Sequence, residues 1–408
     1  QRSNPEMQKR VANVIRAFVE MTGNPIVSIH DHGAGGHLNS FSELVDNNGG
    51  IIYLNTLPVG DPTLSSKEII GNESQERMGL VIKSEHIELM RKIAERERAP
   101  FYVVGDVTDD MRFVVIDEKN NEKPIDLTLD DFFGNPPKTI LTDSSEYTIG
   151  KSVVDNDNME ITLDDFETHV ENVLSLESVG CKDWLTNKVD RSVTGKVAMQ
   201  QCVGPYQLPI NNLGIMALDY TGKSGIASSI GHAPIAGLLD PGEGSRLAVC
   251  EALTNIVWAP LKDGLDSVSL SANWMWPAKV EGENARLYSA VKAISDFCVD
   301  LGINIPTGKD SLSMTQKYPN GDLVYSPGTV IVSAAGEVSD VKKAVTPVLK
   351  NVENTKVIYV DFSLSNFDLG GSAFAQTLNS LGDKAPAVKS AEYVRKSFNI
   401  IQQLINQA

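Results

Sequence analysis

The chain has 408 residues, of which 41% are hydrophobic and 22% charged, a composition typical of a globular protein with two or three domains. Its formal net charge of −17 argues against nucleic acid and against an anionic membrane as the main partner. No apolar run approaches the ~18 residues of a membrane span. The sequence begins with Gln1 and shows no signal peptide, so we expect an excised piece of a longer cytoplasmic protein.

The four cysteines lie far apart and form no C-x-x-C pair, which predicts neither a zinc site nor a disulfide framework. Reduced thiols in a cytosolic protein are the simplest interpretation. The residues are Cys181, Cys202, Cys250 and Cys298.

Helices and strands alternate over residues 1–140, which we interpret as a first mixed α/β domain. Asn4-Pro5-Glu6 is a typical helix start, with an N-cap, a first-turn proline and an acidic residue. Apolar residues at helical spacing continue to Val19. Further helices are predicted at Ser40–Val45 and Ser84–Arg98, and strands at Ile26–Ile29, Met78–Ile82, Phe101–Val107 and Arg112–Ile116.

The run from Asn72 to Met78 carries a single apolar side chain and leads directly into an apolar strand that ends at Ile82. In an extended segment Glu73, Gln75 and Arg77 would share one face, and the residues between them the other. A face rich in donors and acceptors at the start of a buried strand suits a polyhydroxylated or phosphorylated ligand. The run is therefore a candidate binding segment.

Asp31 follows an apolar strand and precedes a glycine-rich turn that ends at Gly36. Glycines let backbone N–H groups converge on a phosphate, and a carboxylate at a strand end is a common position for a Mg²⁺ ligand. The alternative is that Asp31 caps the turn that follows it. His30 and His32 lie too close together for the usual ligand spacings of a zinc site, which disfavours zinc.

The rest of the chain divides into three predicted parts. Residues 141–190 are an acidic, partly helical linker with a helix at Ile161–Val173. Residues 191–344 form a second α/β domain, and residues 345–408 are the truncated start of a third. Strands are predicted at Leu213–Leu218, Gly225–Ile230, Val268–Ser271, Thr329–Ala334 and Val357–Val360, and helices at Gly242–Val257 and Glu281–Leu301.

Glu251 and Asn255 lie four residues apart on the predicted helix Gly242–Val257. This spacing places both oxygen-bearing side chains on one face, where they could hold a hard cation. The alternative is an ordinary exposed helix face.

Two further polar segments are candidates. Asn211 and Asn212 precede an apolar strand, either as a turn or as ligands in the same place as Glu251. Gly308-Lys309-Asp310-Ser311 is not a P-loop, because the first glycine is missing and Asp interrupts Lys and Ser. Lys309 and Ser311 still form a suitable contact set for a phosphorylated substrate.

Several of these segments together resemble the large phosphoribosylformylglycinamidine synthases, the formylglycinamide ribonucleotide amidotransferases of purine biosynthesis. Each match is weak, but their order and number make the resemblance specific. They include His30 to Gly36, Asn72 to Met78, Arg96 to Pro100, Asp190 to Gly195, Val203 to Pro205, Glu251 to Asn255, Leu270 to Trp274 and Gly308 to Met314.

The resemblance implies an α/β fold of the α+β type, with mixed sheets flanked by helices in domains like the A and B domains of aminoimidazole ribonucleotide synthetase. The chain would contain a first B domain (1–140), the linker (141–190), a second A domain (191–344) and the start of a second B domain (345–408). The catalytic histidine and the glutaminase cysteine of the family would lie elsewhere. No residue here is therefore predicted to be catalytic, and we expect the fragment alone to be inactive.

The family's ligand contacts carry over residue by residue in the first B domain. Asp31 matches a Mg²⁺ ligand of the active ATP site. Glu73, Ser74 and Gln75 match the segment that contacts formylglycinamide ribonucleotide, and Gln1 matches another substrate contact.

In the second A domain, Glu251 and Asn255 match Mg²⁺ ligands of an auxiliary site that holds a structural ADP in the large enzymes. Asn211 is assigned to the nucleotide and Asn212 to the metal. Asn212 stands where that site usually has aspartate, so the ligand charge is lower by one. Asp310 matches a metal-coordinating position less securely.

The implied reaction is ATP-dependent: ATP phosphorylates the formyl-amide oxygen, and ammonia from glutamine displaces phosphate to give the amidine. The alternatives are another member of the same ATP-binding superfamily, such as a selenophosphate synthetase or a thiamine-phosphate kinase, or a non-catalytic nucleotide-stabilised module. A domains of this superfamily pair with each other, so we also expect self-association through the unpaired second A domain.

Overall fold

The computed structural model describes residues 5–134, 137–138, 140–144, 162–186, 191–350 and 352–407. The chain divides into two compact units, Gln1–Thr139 (unit 1) and Ile140–Ala408 (unit 2). The division falls beside the predicted end of the first domain at residue 140. The predicted boundaries at 190 and 344 lie inside unit 2 and stay predictions.

The described part of unit 1 contains mixed sheets flanked by helices, as predicted. Strands β1 (Ile26–Asp31) and β3 (Met78–Ile82) pair antiparallel. A second sheet has the order β4 (Gly105–Val107), β2 (Gly50–Tyr53), β5 (Arg112–Asp117) and β6 (Glu122–Thr128). The helices are α1 (Pro5–Val19), α2 (Gly36–Leu44), α3 (Ser66–Gly71), α4 (Ile87–Glu97) and α5 (Leu129–Phe133), with 3-10 turns at Leu54–Thr56 and Ser84–His86.

Two helices of unit 1 share an apolar core. Val14 and Phe18 lie one turn apart on α1 and are buried in the same cluster as Met90 and Ala94 of α4. Burying one side chain the size of Phe18 contributes about 2 to 3 kcal/mol. The helical spacing seen in the sequence therefore corresponds to a real core.

The predicted strand Phe101–Val107 is shorter in the structure. Only Gly105–Val107 forms a ladder, in which Gly105 pairs with Ile52 and Val107 with Gly50. Residues 101–104 have no ladder partner, although the Val104 carbonyl accepts a hydrogen bond from Tyr53 N at 2.8 Å. The sequence of this segment predicts a strand, but a strand also needs a neighbouring strand with which to pair.

Unit 2 is organised around a six-stranded sheet with the order β11-β10-β14-β9-β8-β7. Its strands are β7 (Val197–Met199), β8 (Leu213–Ala217), β9 (Gly225–His232), β10 (Val268–Met275), β11 (Asn304–Ser311) and β14 (Thr329–Val338); β12 (Thr315–Lys317) and β13 (Leu323–Tyr325) form a separate hairpin. The helices are α6 (Leu163–Ser175), α7 (Asp183–Thr186), α8 (Pro234–Leu239), α9 (Pro241–Ile256), α10 (Glu283–Leu301), α11 (Ala373–Thr377) and α12 (Ala391–Gln407), with 3-10 turns at Val193–Gly195, Gly264–Ser267 and Val341–Lys343.

The two faces of this sheet differ. Along β9, buried and exposed residues alternate strictly, and the buried Ala227 shares a core with residues of α9 and α10. The exposed face of the same strand carries Ile226 and Ile230, which are 45% and 58% exposed. Unit 2 therefore presents an open, partly apolar sheet face within its described residues.

Helix α9 lies very close to strand β9 at Gly231. A side chain at this glycine would clash with the carbonyl oxygen of Ala248 and the backbone nitrogen of Ala252. The missing Cβ is thus what allows the helix to approach the strand, and this contact positions the residues of α9 that follow.

Gln402 ties α12 to the segment after α9. Its Nε2 donates to the carbonyls of Val257 and Ala259 at 2.5 and 2.8 Å, and its Oε1 accepts from Leu261 N at 2.9 Å. The residue is only 3% exposed. One buried amide therefore satisfies three backbone groups that would otherwise lack partners.

The predicted linker is partly structured, and its described parts contact the rest of unit 2. The predicted helix Ile161–Val173 is found as α6, where His169 meets Phe374 at a centroid distance of 5.2 Å. Asp143 caps α10, because its carboxylate accepts hydrogen bonds from three backbone N–H groups at 2.8 to 3.2 Å. These hydrogen bonds lower the pKa of Asp143. The described parts of the predicted linker therefore include a helix, as expected, and make specific contacts with unit 2.

The predicted strand Val357–Val360 is not formed. Val357, Ile358 and Tyr359 are 77% to 87% exposed, and no strand among the described residues pairs with them. An apolar run has β-propensity, but without a partner its backbone stays unpaired. None of the helices in the described ranges is long and apolar enough to cross a membrane.

All four cysteines are free, as predicted, and only Cys181 is exposed. Cys250 and Cys298 lie within α9 and α10. Burial raises the pKa of both thiols to about 12. These two side chains therefore behave as small apolar core residues rather than as reactive thiols.

Candidate functional site

The two unusual segments of the first domain meet in unit 1. Strands β1 and β3 pair antiparallel, so Asp31 lies opposite Met78. One residue further, His32 N donates to the carbonyl of Arg77 at 3.3 Å. Gly36, with a φ of 61°, lies so close to Asn72 that a side chain would clash with the Asn72 backbone. The glycine-rich turn and the polar run thus form one site.

The polar run itself is a loop rather than an extended strand. Glu76 has a φ of 67°, in the left-handed region, which breaks the alternation of side chains. The expectation that Glu73, Gln75 and Arg77 share one strand face is therefore wrong. Glu73 is exposed, whereas Gln75 and Arg77 are half-buried. The loop turns at Ser74, whose N donates to the carbonyl at the start of the run at 2.8 Å.

Two buried histidines lie behind this loop, and the sequence did not reveal them as a pair. His32 and His37 are 4% and 5% exposed, and their rings are joined by a hydrogen bond of 3.0 Å between Nε2 and Nδ1. Arg77 Nη1 lies 3.1 Å from His37 Nε2, and Ser40 Oγ lies 3.4 Å from His32 Nδ1. The sequence raised zinc for His30 and His32 and disfavoured it through their spacing, and it gave no signal that His32 and His37 pair.

The direction of this hydrogen-bond chain follows from arginine, which can only donate. His37 Nε2 therefore accepts from Arg77, and His37 Nδ1 carries the proton that is donated to His32 Nε2. His32 Nδ1 in turn carries a proton directed at Ser40. The chain fixes both tautomers and holds the two segments together.

Both histidines are neutral at neutral pH. Burial lowers the pKa of His32 and of His37 to about 4, and the nearby positive charge of Arg77 acts in the same direction. Burial also lowers the pKa of the Arg77 guanidinium. The site thus contains one half-buried cation supported by neutral rings.

Asp31 is placed differently, at the surface, with its side chain 73% exposed. His30 Nδ1 lies 3.8 Å from Asp31 Oδ1, too far for a hydrogen bond. His30 instead contacts the Asp31 carbonyl through Nδ1 at 2.7 Å and Glu43 Oε2 through Nε2 at 2.5 Å, and these contacts raise the pKa of His30. The Asp31 carboxylate is open to solvent and suits an ion such as Mg²⁺, which is bound by one or two carboxylates and completed by phosphate and water.

A cavity of about 750 Å³ adjoins the site inside unit 1. Its wall is largely aliphatic and includes His37, Gln75 and Arg77. A volume of this size is within the range of small-molecule sites, and a few polar groups on an apolar wall are typical of them.

In unit 2, the predicted pair on α9 reaches the end of strand β9. Glu251 Oε2 accepts from His232 N at 2.7 Å, and Asn255 Nδ2 donates to the Ile230 carbonyl at 3.0 Å. Both side chains therefore lie on one face of α9 and point at the strand, as the spacing predicted. The close approach at Gly231 explains this position.

The two neighbouring asparagines differ. Asn211 is buried, and its amide makes three hydrogen bonds with the backbone of Gln200 and Leu213. This amide stabilises the start of β8, so its assignment to a nucleotide stays a prediction. Asn212 is exposed and directly precedes Leu213, which pairs with Ser229. Its assignment to the metal site of Glu251 stays a prediction.

The segment Lys309–Ser311 lies at the end of β11, which is an edge strand. Lys309 Nζ donates to Ser311 Oγ at 2.8 Å, so these two side chains share one side of the strand. Asp310, between them, belongs to the other side, because strand residues alternate. The structure thus brings Lys309 and Ser311 together and separates Asp310 from them.

Gln1 lies outside the described residues. Within the described ranges, no three His, Cys, Asp or Glu side chains form a group that could hold a metal ion. Metal binding at Asp31, Glu251 or Asp310 would therefore need amide oxygens, water or ligand phosphates as well.

Family models match both units of the chain. Residues 1–118 match the C-terminal domain of AIR synthase related proteins, and residues 181–337 match the FGAR-AT PurM N-like domain. Among curated proteins, the phosphoribosylformylglycinamidine synthase of Dictyostelium discoideum is 42% identical over 100% of this chain, and that of Homo sapiens is 38% identical over 99%.

The chain belongs to the phosphoribosylformylglycinamidine synthase family. It spans about 31% of the length of these two relatives. The family assignment made from the short segments is confirmed.

Solved structures agree on the fold. Thermotoga maritima PurL complexed with ATP matches 85% of this chain and 52% of its own with a TM-score of 0.62 at 21% identity. The same protein complexed with FGAR matches with a TM-score of 0.59, and complexed with ADP with a TM-score of 0.60. The AIR-synthase-like α/β fold of the synthase family is thereby confirmed for this chain.

Proposed function

We propose that this chain is part of the synthetase region of an ATP-dependent ligase that converts formylglycinamide ribonucleotide to the amidine in purine biosynthesis, with glutamine as the source of ammonia. The observation that carries the proposal is the alignment of the whole chain with phosphoribosylformylglycinamidine synthases. The meeting of the two predicted ligand segments in unit 1 supports it.

The residues of unit 1 would bind and orient the substrates. Asp31, exposed at the end of β1, would hold Mg²⁺, which neutralises charge on the transferring phosphoryl group. Glu73 offers acceptor oxygens to ribose hydroxyls, and Gln75 offers both donors and an acceptor to an amide. Ser74 adds a hydroxyl at the turn of the loop. The hydrogen-bonded histidines behind the loop keep it in place.

The residues of unit 2 would contribute to an auxiliary nucleotide site. Glu251 and Asn255 would hold a Mg²⁺ ion on the phosphates of ADP, and Asn212 would add an uncharged oxygen. Lys309 and Ser311, joined by a hydrogen bond, would contact a substrate phosphate. The complexes of PurL with ADP, ATP and FGAR support these ligand classes.

The test is the hydrolysis of ATP that depends on formylglycinamide ribonucleotide (FGAR), measured with the full-length protein that contains this chain. Gln75→Ala should raise the KM for FGAR at least about 10-fold, the loss expected for one or two hydrogen bonds to substrate. Glu85→Ala, which changes an exposed residue elsewhere in unit 1, should leave kcat and the KM for FGAR unchanged. Full-length protein that forms no amidine from FGAR, ATP and glutamine would exclude the proposed function.

The 408-residue chain alone should be inactive and should bind ATP only weakly. Calorimetry with Mg²⁺ and ATP measures this directly. Micromolar binding of ATP to this chain would contradict the expectation.

The open sheet face of unit 2 supports self-association of this chain. Ile226→Asp together with Ile230→Asp would place charges on that face and should shift the mass measured by light scattering toward the monomer. Tyr288→Asp, at an exposed position of α10, is the control. A strictly monomeric mass for the unmodified chain at high concentration would exclude this pairing.

A further inference from the structure

The cavity of unit 1 has a wall that does not match the substrates of the proposed reaction. Its volume is about 750 Å³, and most of the side chains that line it are aliphatic, including Val11 and Ile15 of α1 and Leu80 and Ile82 of β3. A nucleotide or a ribonucleotide presents hydroxyl and phosphate groups, for which such a wall offers few hydrogen-bond partners. Water gains equally little there, so hydrocarbon fills this space more favourably than either.

The cavity opens to solvent between apolar side chains. Val27, Met78 and Tyr102 belong to its wall and are nevertheless 64%, 42% and 51% exposed. Side chains that line the cavity and also reach solvent mark its opening. The space is therefore accessible to an aliphatic molecule from solvent.

One cation in this wall has no anion beside it. Arg77 is half-buried, and its Nη1 lies 3.1 Å from Nε2 of His37, which is a neutral ring. Burial lowers the pKa of the Arg77 guanidinium, and among the described residues only the Tyr102 phenol acts in the opposite direction. Glu76 and Asp106 also line the cavity, but neither carboxylate raises the pKa of Arg77, so both lie too far away to neutralise it. Since a guanidinium has five N–H donors, its contact with the ring leaves donors for an acceptor from outside the chain.

We propose that this cavity binds an aliphatic monocarboxylic acid, whose chain lies against the apolar wall and whose carboxylate pairs with Arg77. An arginine and a carboxylate form two parallel hydrogen bonds, which are stronger in a partly buried site than in water. A chain of about ten carbons is within the size range of the ligands that such cavities hold. The inference does not depend on the proposed reaction, because Glu73 and Ser74 are not part of this wall.

The experiment is a calorimetric titration of the 408-residue chain with decanoate below its micelle concentration. We expect saturable binding of one molecule per chain. Decanol and inorganic phosphate should each bind at least about 10-fold more weakly, because decanol lacks the charge and phosphate lacks the chain. Arg77→Met removes the charge and keeps an unbranched side chain, so it should weaken decanoate binding at least about 10-fold and leave decanol binding unchanged. Arg96→Met, which changes an exposed arginine on α4, is the matched control.

Val11→Trp fills the cavity from α1 and should abolish the binding of both decanoate and decanol, which tests the site without changing its charge. Hydrogen exchange locates the ligand, because decanoate should slow exchange in peptides of β3 and leave peptides of unit 2 unchanged. Circular dichroism identifies any loss of fold in a variant, and the comparison of decanoate with decanol on the wild type needs no variant.

Equal decanoate affinity of wild type and Arg77→Met would overturn the proposal. The same holds if decanol or phosphate alone binds the wild type as tightly as decanoate, if Val11→Trp keeps its affinity, or if the wild type shows no saturable binding. Protection by decanoate that is confined to unit 2 would also reject the site.

Discussion

Lowering the pH should destabilise unit 1 through its two buried histidines. The pKa of His32 and of His37 is about 4 in the folded chain, against 6.5 for an unperturbed histidine. Between these values the unfolded chain binds protons that the folded chain does not. Their contribution to stability is therefore fully present above 6.5 and is lost as the pH falls toward 4.

The magnitude follows from the same two values. Lowering the pH from about 7 to about 4.5 decreases the free energy of unfolding by about 2.5 kcal/mol for each histidine, or by about 5 kcal/mol for the pair. This is comparable with the whole stability of a small domain. His30 acts in the opposite sense, because its raised pKa favours the folded state in acid, but its partly exposed position beside Glu43 makes the effect small.

Hydrogen exchange measured by mass spectrometry reports the pH response of unit 1 and of unit 2 separately, because each peptide belongs to one unit. All four tryptophans lie after residue 180, so their fluorescence reports on unit 2 alone. Peptides that cover α2 and β1 should exchange faster as the pH falls, after correction for the intrinsic rate. His32→Gln with His37→Gln should remove most of this dependence, and His86→Gln should leave it in place. The reasoning is refuted if the double variant keeps the pH dependence of the wild type.

Three other changes test the packing of unit 2. Gln402→Leu should lower the free energy of unfolding by about 3 kcal/mol in urea titrations, because it leaves buried backbone groups unpaired, whereas the exposed Gln403→Leu should have little effect; equal midpoints would contradict the role of the amide. Gly231→Ala should destabilise the chain by about 2 kcal/mol or more through its clash with α9, while Gly60→Ala, which has open space around it, should not. A thiol reagent should label the native chain rapidly at one cysteine, and Cys181→Ser should abolish this labelling; rapid labelling that persists in the variant would show that a buried thiol is accessible.

Much of the local structure could be predicted from the sequence because helices are determined largely by short-range periodicity. Helices α9 and α10 begin and end within two residues of their predicted bounds. The i, i+4 spacing of Glu251 and Asn255 correctly placed both on one helix face. The order of several short segments was enough to identify the family.

The tertiary structure decided the features that depend on a neighbour. The strand Val357–Val360 is absent and Phe101–Val107 is shortened, because a strand needs a partner ladder that local sequence does not specify. The left-handed Glu76 broke the expected alternation of the polar run.

Only the fold could reveal what lies behind and beside the predicted residues. The hydrogen bond between His32 and His37 depends on where α2 places a ring after a glycine turn. The 3.5 Å between His232 and Glu251 depends on the approach of α9 to a glycine in β9. The sequence by itself determined which residue types are present and how they repeat, and the tertiary structure determined their distances, burial and charge, because these depend on contacts between distant parts of the chain.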